Sequence, residues 1–571
     1  MLCFIVVCRS EASRRRSDEF FARFRVEKVE SEDTTRRTFP HNLPAMMIEN
    51  LHWKDHSVIA FVTAIVILIL SRSKRRGTTK WPIAPGALPI IGHALSLLDS
   101  DKFYKVLLEW KNKVGENGIF EFSLFNRRWI VVWREDIVME AMRLRPIKLR
   151  RASMLEPSID SVGFGGVFSA EGQRWKHERR IVAPALNHKN VKDYFEAIKL
   201  VAKRLVKKWG KKQHTDDVNA TSDVSSCSLD VIGLTMLGMD LDSLNNPDSI
   251  FSKDAYAVLN VIFRRTLSPI PYWRIPLIGQ DIDGGRYCSD RVMQTLQSLI
   301  SEKRKVLRNT KSDSQEQEKR KTFLEKVLEM TTDGEKSKQL EDDRMIGNLA
   351  NLIIGGTDTT SNTLSFCLWE LSQDESGIQD EIYQEIKAMD KTLDDMVLDD
   401  FTENFPLLCS FLYEILRTKG PTPYLFFEPS QALKFQGETI LPGTIICALT
   451  NFPGEKAGSE VPVGPNGEGP DQFSARRWLV PIENAVQSDD IPVKVKRPSN
   501  NFGGYMVFGH GHRSCPGQHL AEVEILTFLV YILQNFELQL KEHHPPLQII
   551  SRFTEAFDGD LMLSLKPRPT N

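Results

Sequence analysis

The segment FGHGHRSCPG at residues 508–517 places one cysteine among glycines, histidines and an arginine. Gly509 and Gly511 allow the backbone to turn tightly and to direct N–H groups towards a sulfur atom. Pro516 suits the first position of a helix, so Cys515 is expected to cap the helix that continues as GQHLAEVEILTFLVYIL. The dipole of such a helix lowers the pKa of a thiol at its N-terminus. The pattern therefore predicts a thiolate that serves as a metal ligand.

Three roles are considered for this cysteine: a heme-iron ligand, a zinc ligand, and a thiol that binds no metal. Heme iron accepts a cysteine thiolate, and that ligand favours cleavage of the O–O bond of dioxygen. Zinc would need a fourth partner beside Cys515, His510 and His512, and none stands at the usual spacing. The bland alternative is a buried thiol without a ligand. The segment favours heme, since Arg513 is placed to reach a propionate and Phe508 to shield the sulfur from water.

The segment as a whole resembles the heme-binding signature of the cytochrome P-450 superfamily of monooxygenases. The matching positions are Phe508, Gly509, Gly511, Arg513, Cys515 and Gly517, followed by Leu520, Ala521 and Glu524. The resemblance covers the chain from about residue 80 to the C-terminus. It implies a mainly α fold with a small β region, heme b as cofactor, Cys515 as iron ligand and dioxygen as co-substrate.

A second motif, NLIIGGTDTTSNTLSF from Asn351, resembles the oxygen-activating helix of this superfamily. Gly355 and Gly356 would thin the helix wall beside bound dioxygen. The resemblance implies that Thr359 and Asp358 deliver protons from solvent to the reduced dioxygen. The alternative is an ordinary buried helix that tolerates a glycine pair.

A third motif joins Glu414 and Arg417, one helical turn apart in FLYEILR, with Arg477 in DQFSARRWL. A Glu-x-x-Arg match alone is weak in a chain with 26% charged residues, because several arise by chance. In this order the three resemble the buried Glu/Arg/Arg network that fixes the cysteine loop in the superfamily.

Trp175 and Arg179 in GQRWKHERR match the helix whose Trp and Arg bond a heme propionate in the superfamily. The alternative is a basic face for solvent or for a redox partner, to which Lys176, Arg180 and Lys189 would contribute. Both interpretations are compatible, because the two sets of side chains need not be the same.

Several positions depart from the superfamily pattern. Phe427 stands where an Arg commonly holds a propionate, Asn451 and Phe452 replace a His followed by acidic residues, and Ala475 replaces a Pro. Residues 453–471 are rich in Gly and Pro and are expected to form a surface insertion. These departures predict weaker or altered heme retention.

The N-terminal region divides into two parts. Residues 1–46 are rich in Arg, Ser and Glu and are expected to be a disordered leader, absent from a protein that starts at Met46 or Met47. Residues 47–77 hold an apolar run followed by a basic cluster, which predicts a single transmembrane helix with residues 78–571 as the cytoplasmic catalytic domain. A buried helix or a signal peptide is the alternative. The flank resembles that of endoplasmic-reticulum members.

The remaining composition limits the partners. The chain has 571 residues, 41% of them hydrophobic, and a net charge of −1, so nothing indicates a nucleic-acid partner. The eight cysteines form no Cys-x-x-Cys pair, which favours a reducing compartment. The GFGG stretch at 163–166 lacks the dinucleotide-binding pattern, so electrons are expected from a separate NADPH-dependent reductase.

The anchor predicts contact with membrane lipid and a lipophilic substrate.

Two other functions remain open: rearrangement of a peroxide without a reductase, and heme binding without turnover. Long helices are predicted at 342–373 and 522–535, and a strand at 129–133.

Overall fold

The computed structural model describes residues 80–569. Positions left out of this range are 98–101, 116, 126, 213–216, 269–270, 277, 311–320, 333–340, 374–375, 390, 451–460, 483–492, 499–504 and 552–553. The predicted leader (1–46) and anchor (47–77) lie outside the described residues, as do Asn451 and Phe452. Within the described ranges, no helix has the length and apolar character needed to cross a bilayer.

Fourteen α-helices account for about half of the described residues and the strands for far fewer, in agreement with the predicted mainly α class. They are α1 (Phe103–Val114), α2 (Glu135–Arg143), α3 (Leu155–Asp160), α4 (Gly172–Ala185), α5 (His188–Gly210), α6 (Ala220–Ile232), α7 (Ile250–Leu267), α8 (Gly285–Thr310), α9 (Phe323–Thr332), α10 (Asp342–Ser372), α11 (Ile378–Lys387), α12 (Leu398–Glu403), α13 (Pro406–Lys419) and α14 (Gln518–Asn535).

The strands among the described residues are short. They are β1 (Ile119–Leu124), β2 (Arg127–Val132), β3 (Leu149–Arg151), β4 (Val218–Asn219), β5 (Tyr424–Pro429), β6 (Leu433–Phe435), β7 (Glu438–Ile440), β8 (Ile445–Leu449), β9 (Leu479–Pro481), β10 (Val493–Val495), β11 (Phe536–Leu540), β12 (Ile549–Ser551), β13 (Glu555–Phe557) and β14 (Met562–Pro567). One sheet has five strands in the order β1-β2-β8-β5-β3, and the others have two or three. The small β region is therefore present.

The three elements predicted from apolar periodicity are found with shifted ends. The predicted helix at 342–373 is α10, and the predicted strand at 129–133 is β2, which begins two residues earlier. The helix predicted at 522–535 begins four residues earlier, at Gln518, close to the start that Pro516 predicts.

Two apolar cores hold these elements. The larger core lies among the helices and includes Trp209, Phe366 and Phe411, all almost fully buried. The smaller core surrounds the five-stranded sheet and is rich in aromatic rings, such as Phe122 stacked on Trp129 with a centroid distance of 5.4 Å. Aromatic and β-branched residues pack well on a pleated surface, which explains this composition.

Helix α10 runs through the larger core and packs against α6, α13 and α14. Asp342 and Asp343 in its first turn complement the positive end of the helix dipole. Near this end the helix meets the GFGG stretch so closely that a Cβ on Gly347 would lie 1.9 Å from the Gly165 carbonyl oxygen. Gly165 and Gly166 of GFGG thus allow a close backbone contact with α10.

Two asparagines of α10 fasten the chain that follows this contact. Asn348 Oδ1 accepts the Val167 N–H at 2.8 Å, and Asn351 Oδ1 accepts the Phe168 N–H at 2.9 Å. The connection between α3 and α4 is therefore held along the first half of α10.

Candidate active site

The loop before α14 presents Cys515. The Cys515 N–H donates to the Phe508 carbonyl at 2.7 Å, which closes the loop on itself. Gly509 and Gly511 have φ of +70° and +65°, values that L side chains rarely adopt, so glycine is required at both positions. The N-cap of α14 is Gly517, so Cys515 precedes the cap by two residues, and the predicted capping by Cys515 is wrong.

The Cys515 thiol faces the start of α14 all the same. Cys515 is exposed at its surface, yet burial raises the pKa of its thiol. The space beside the thiol is therefore enclosed by protein. The backbone N–H groups of Gly517 and Gln518 and the charge of Arg179 lower the pKa and offset only part of this rise. The N–H groups at the start of the helix therefore lower the pKa as predicted, but desolvation outweighs them in the protein alone.

Arg513 and Trp175 meet beside this loop. The Arg513 guanidinium lies 4.1 Å from the centroid of the Trp175 ring, donates to the Ala170 carbonyl at 2.9 Å and lies 2.8 Å from Glu171 Oε2. Burial lowers the pKa of Arg513 to about 10. Arg179, one turn after Trp175, donates to the carbonyl of Ser514, the residue before the cysteine, at 2.8 Å. Helix α4 is thus fastened to the loop.

Two further arginines lie at this site, and the sequence reasoning missed both. Burial, followed by the charges of Arg145 and Arg513, lowers the pKa of Arg151 well below its usual range. Burial lowers the pKa of Arg145 to about 10. Both precede the matched motifs in a stretch that resembles an ordinary basic surface segment, so no local signal distinguishes them.

These arginines surround Phe427, where the superfamily pattern expects an arginine. Arg151 pairs with Phe427 across β3 and β5, and the Arg145 guanidinium lies 4.6 Å from the centroid of the Phe427 ring. Neighbouring strands and turns therefore bring positive charge to the place that Phe427 leaves neutral.

The arginine cluster fits a dianionic cofactor edge. The Nε atoms of Arg145, Arg151 and Arg513 are buried without a hydrogen-bond partner. Glu171 supplies one negative charge against these guanidinium groups and that of Arg179. Buried unpaired donors and like charges are costly unless a ligand satisfies them. Two propionates provide the missing acceptors, so the residues present fit heme.

One member of the α10 glycine pair, Gly355, borders open space. Gly355 is exposed in the middle of this long helix, and a Cβ built on it would meet nothing within 4 Å. The Thr359 hydroxyl donates to the Gly355 carbonyl at 2.7 Å. The neighbouring Asp358 carboxylate accepts a hydrogen bond from the Thr554 hydroxyl. This arrangement places the Thr359 hydroxyl next to Gly355, which borders open space, and the Asp358 carboxylate one residue before it.

Glu414, Arg417 and Arg477 form one fully buried cluster. Arg417 donates to both carboxylate oxygens of Glu414 at 2.8 and 2.9 Å, and Arg477 Nε donates to Glu414 Oε1 at 2.8 Å. Burial alone would raise the pKa of Glu414, but the hydrogen bonds and charges of the two arginines outweigh it and lower the pKa. The indole N–H of Trp478 also donates to Glu414 Oε2 at 3.2 Å.

Several of the remaining guanidinium N–H groups of this network donate to carbonyls of the segment predicted to be a surface insertion. Arg477 donates to the carbonyls of Glu468 at 3.1 Å and of Gly469 at 2.9 Å, and Arg417 donates to the carbonyl of Pro470 at 2.7 Å. The described part of 453–471 is therefore at the surface but turns its carbonyls inward. Ala475, which replaces the expected Pro, lies in the larger core.

The zinc alternative has little geometric support. Among the residues described, no three or more His, Cys, Asp or Glu side chains are grouped so that they could hold a metal ion. Cysteine loop, arginine cluster, glycine-thinned helix and Glu/Arg/Arg network together define a heme-thiolate protein.

The sequence profile of the cytochrome P450 family matches residues 82–557. The chain therefore belongs to the cytochrome P450 family. It is an oxygenase enzyme, and the cofactor of the family is heme b with dioxygen as co-substrate.

Named relatives agree with this membership. The chain is 24% identical over 533 residues to cytochrome P450 97B2, chloroplastic, of Glycine max, covering 85% of this chain and 86% of that protein. It is 22% identical to cytochrome P450 4V2 of Homo sapiens, covering 91% and 97%. A crystal structure of the cytochrome P450DA heme domain has a TM-score of 0.68 at 21% identity, covering 86% of this chain and 99% of that one, and supports the fold.

Proposed function

We propose that this enzyme inserts one oxygen atom of dioxygen into a lipophilic organic substrate, and that Cys515 would hold its heme iron as a thiolate ligand. The observation that carries the proposal is the Cys515 thiol, accessible within an enclosed space and facing the backbone N–H groups of Gly517 and Gln518. When bound, a thiolate-ligated heme supplies cleavage of the O–O bond. Phe508, Gly509 and Gly511 shape the loop that presents this sulfur.

The arginine cluster would hold the cofactor by its propionates. Arg513, stacked on Trp175, and Arg179 each keep a guanidinium close to the cysteine loop. Arg145 and Arg151, beside Phe427, contribute buried Nε donors that have no hydrogen-bond partner. A charge-assisted hydrogen bond is about twice as strong as a neutral one, so a few such bonds compensate for a missing arginine at position 427.

Thr359 and Asp358 would handle protons. Because the Thr359 hydroxyl donates its hydrogen bond to the Gly355 carbonyl, the lone pairs of its oxygen would be left to accept hydrogen bonds from groups in the open space. Asp358, the preceding residue, would take protons from solvent and pass them towards the same space. Glu414, Arg417 and Arg477 would keep the cysteine loop in place and take no part in the chemistry.

Electrons would come from a separate NADPH-dependent reductase. The chain matches 40% of the length of a relative named bifunctional cytochrome P450/NADPH–P450 reductase, from Alternaria alternata, at 24% identity. Residues 47–77 would anchor the enzyme in the endoplasmic-reticulum membrane, after a leader at 1–46 and before a catalytic domain at 78–571. A membrane position favours substrates that partition into lipid.

The ligand is tested by the difference spectrum of the reduced protein under carbon monoxide. The full-length wild type is expected to give the Soret band characteristic of thiolate-ligated heme, and Cys515→Ser to lose it. Cys288→Ser is the matched control, because it removes a half-buried thiol elsewhere. A thiolate band that survives in Cys515→Ser would overturn the assignment.

Turnover is tested with purified NADPH–cytochrome P450 reductase. Consumption of NADPH that depends on dioxygen supports monooxygenation. Decomposition of an organic hydroperoxide without reductase, with no NADPH consumption, would instead favour the rearrangement activity. Absence of both reactions would favour heme binding without turnover.

A further inference from the structure

The β12–β13 hairpin lies along one face of α10. The Phe557 ring contacts Phe366 and Trp369, with centroid distances of 4.9 and 5.8 Å. On α10, residues 358, 362, 366 and 369 are separated by four, four and three positions, so they form one stripe on the helix surface. The hairpin therefore covers the stripe that begins with Asp358.

A partly buried chain of hydrogen bonds links Thr554, just before β13, to this stripe. The Thr554 hydroxyl donates to Asp358 Oδ2, and it accepts from Asn362 Nδ2 at 3.1 Å. Thr554 is 4% exposed. A hydroxyl has one proton to give, so the Asn362 amide fixes the direction of that proton towards Asp358.

We propose that Thr554 is a positioning residue for Asp358, holding its carboxylate for proton delivery, and that Asn362 orients the Thr554 hydroxyl. The inference rests on the proposed function, because Asp358 delivers protons only if dioxygen is reduced. A carboxylate on a side chain with two rotatable bonds visits several orientations, and one charge-assisted hydrogen bond selects among them. The distance and direction from that carboxylate to the hydroxyl of Thr359, the next residue of α10, then stay constant.

Anchoring of the hairpin does not account for this chain of polar groups. The Phe557 contacts already fasten β13 to α10, and the Glu555 N–H donates to the Pro421 carbonyl at 2.8 Å. A valine would occupy nearly the volume of Thr554 without the desolvation cost of its buried hydroxyl. The polar groups therefore act on Asp358.

The first experiment measures dioxygen-dependent NADPH oxidation by the full-length enzyme with excess purified NADPH–cytochrome P450 reductase, in H₂O and in D₂O. Thr554→Val is expected to lower the rate about three- to tenfold and to raise the H₂O/D₂O rate ratio, since proton transfer becomes slower. Thr554→Ser keeps the hydroxyl and is expected to stay within about twofold of the wild type. Phe557→Leu, the matched control, loosens the same hairpin and is expected to leave the rate ratio unchanged.

The second experiment does not depend on turnover. Urea unfolding midpoints of Thr554→Val, Asp358→Asn and the double variant form a thermodynamic cycle, and the proposal requires non-additive effects. Additive effects, or a Thr554→Val enzyme with the wild-type rate and rate ratio beside a slowed Asp358→Asn enzyme, would overturn the positioning role while leaving the proposed function intact. A wild type without the thiolate band or without dioxygen-dependent NADPH oxidation would overturn the proposed function, and the positioning role with it.

Discussion

Adjacent glycines of α10 have opposite surroundings. Gly355 faces open space, whereas a Cβ on Gly356 would lie 2.3 Å from Ile232 Cδ1. Gly355 therefore belongs to the cavity and Gly356 to the contact between α10 and α6. The two positions look identical in the sequence. Their environments differ because successive residues of a helix point in different directions, so Gly355 faces the open space and Gly356 faces α6.

Substitution of each glycine by alanine tests this difference. Gly355→Ala is expected to leave the free energy of unfolding unchanged or to raise it by up to about 1 kcal/mol, because alanine is the better helix former. Gly356→Ala is expected to lower it by about 1 to 3 kcal/mol through overpacking against Ile232. Urea unfolding of both variants checks this, and equal effects would contradict it.

Arg151 and Arg150 are neighbours with different partners. Arg151 has a buried Nε without a hydrogen-bond partner, whereas Arg150 is exposed and pairs with Glu428 at 3.1 Å. We expect Arg151→Leu to reduce heme occupancy while leaving the heme-free protein as stable as the wild type or more so, because a repelled buried charge is removed. Arg150→Leu is the control and should retain heme. The heme-to-protein absorbance ratio and the thermal unfolding of heme-free samples are the measurements; loss of stability in both forms would indicate a structural role.

Helix α13 carries the network that supports the cysteine loop. We expect Glu414→Gln to lower the free energy of unfolding by about 3 to 5 kcal/mol, because it leaves two buried guanidinium groups without their carboxylate. Glu370→Gln is the control, since Glu370 pairs with Lys419 of the same helix at 2.9 Å in a less buried place. Urea unfolding gives the comparison. Equal losses in the two variants would show that the network contributes no more than a surface ion pair.

The contact between α6 and α14 contains a buried carboxyl group. Ser228 Oγ donates to Glu524 Oε1 at 2.8 Å, and burial raises the pKa of Glu524 to about 8. Because the folded pKa lies above the unfolded value, this group stabilises the fold fully below the unfolded pKa, and its contribution is lost as the pH rises through about 8.

The wild type is therefore expected to lose stability relative to Glu524→Gln between the unfolded pKa of Glu524 and about pH 8, by at most about 1.4 kcal/mol per pH unit. Urea unfolding of both proteins across this range is the measurement. Glu537→Gln, which removes a carboxylate from the edge strand β11, should run parallel to the wild type. Parallel curves for Glu524→Gln would show that the buried carboxyl group does not titrate in this interval.

The described domain begins with residues that belong to its smaller core. Trp81 and Ala84 are buried, and bridges join Ile83 to Glu121 and Gly92 to Leu124. Deletion of residues 1–77 is therefore expected to leave the thermal midpoint and the carbon monoxide spectrum unchanged. Deletion of residues 1–92 should lower the free energy of unfolding by about 3 kcal/mol or more, since burial of Trp81 is lost. Equal behaviour of the two deletions would place the domain boundary further along the chain.

Features that lie within one helical turn or one loop were accessible from the sequence. Glu414 and Arg417 are three residues apart, Asp358 and Thr359 are adjacent, and Cys515 lies inside its glycine loop. These local spacings, taken in their order along the chain, were enough to show the resemblance that implies their roles. The helical class followed in the same way, because apolar residues recur with the period of a helix along α10.

Contacts between distant segments depended on packing. Arg145 and Arg151 reach Arg513, and Thr554 reaches Asp358 across 196 positions, only because strands, hairpin and helices are stacked around shared cores. The pKa of Cys515 also depended on packing. The start of α14, which lowers this pKa, could be predicted from the sequence, whereas the stronger effect of desolvation comes from the surrounding protein. Burial sums over every surrounding element, so no local pattern of residues encodes it.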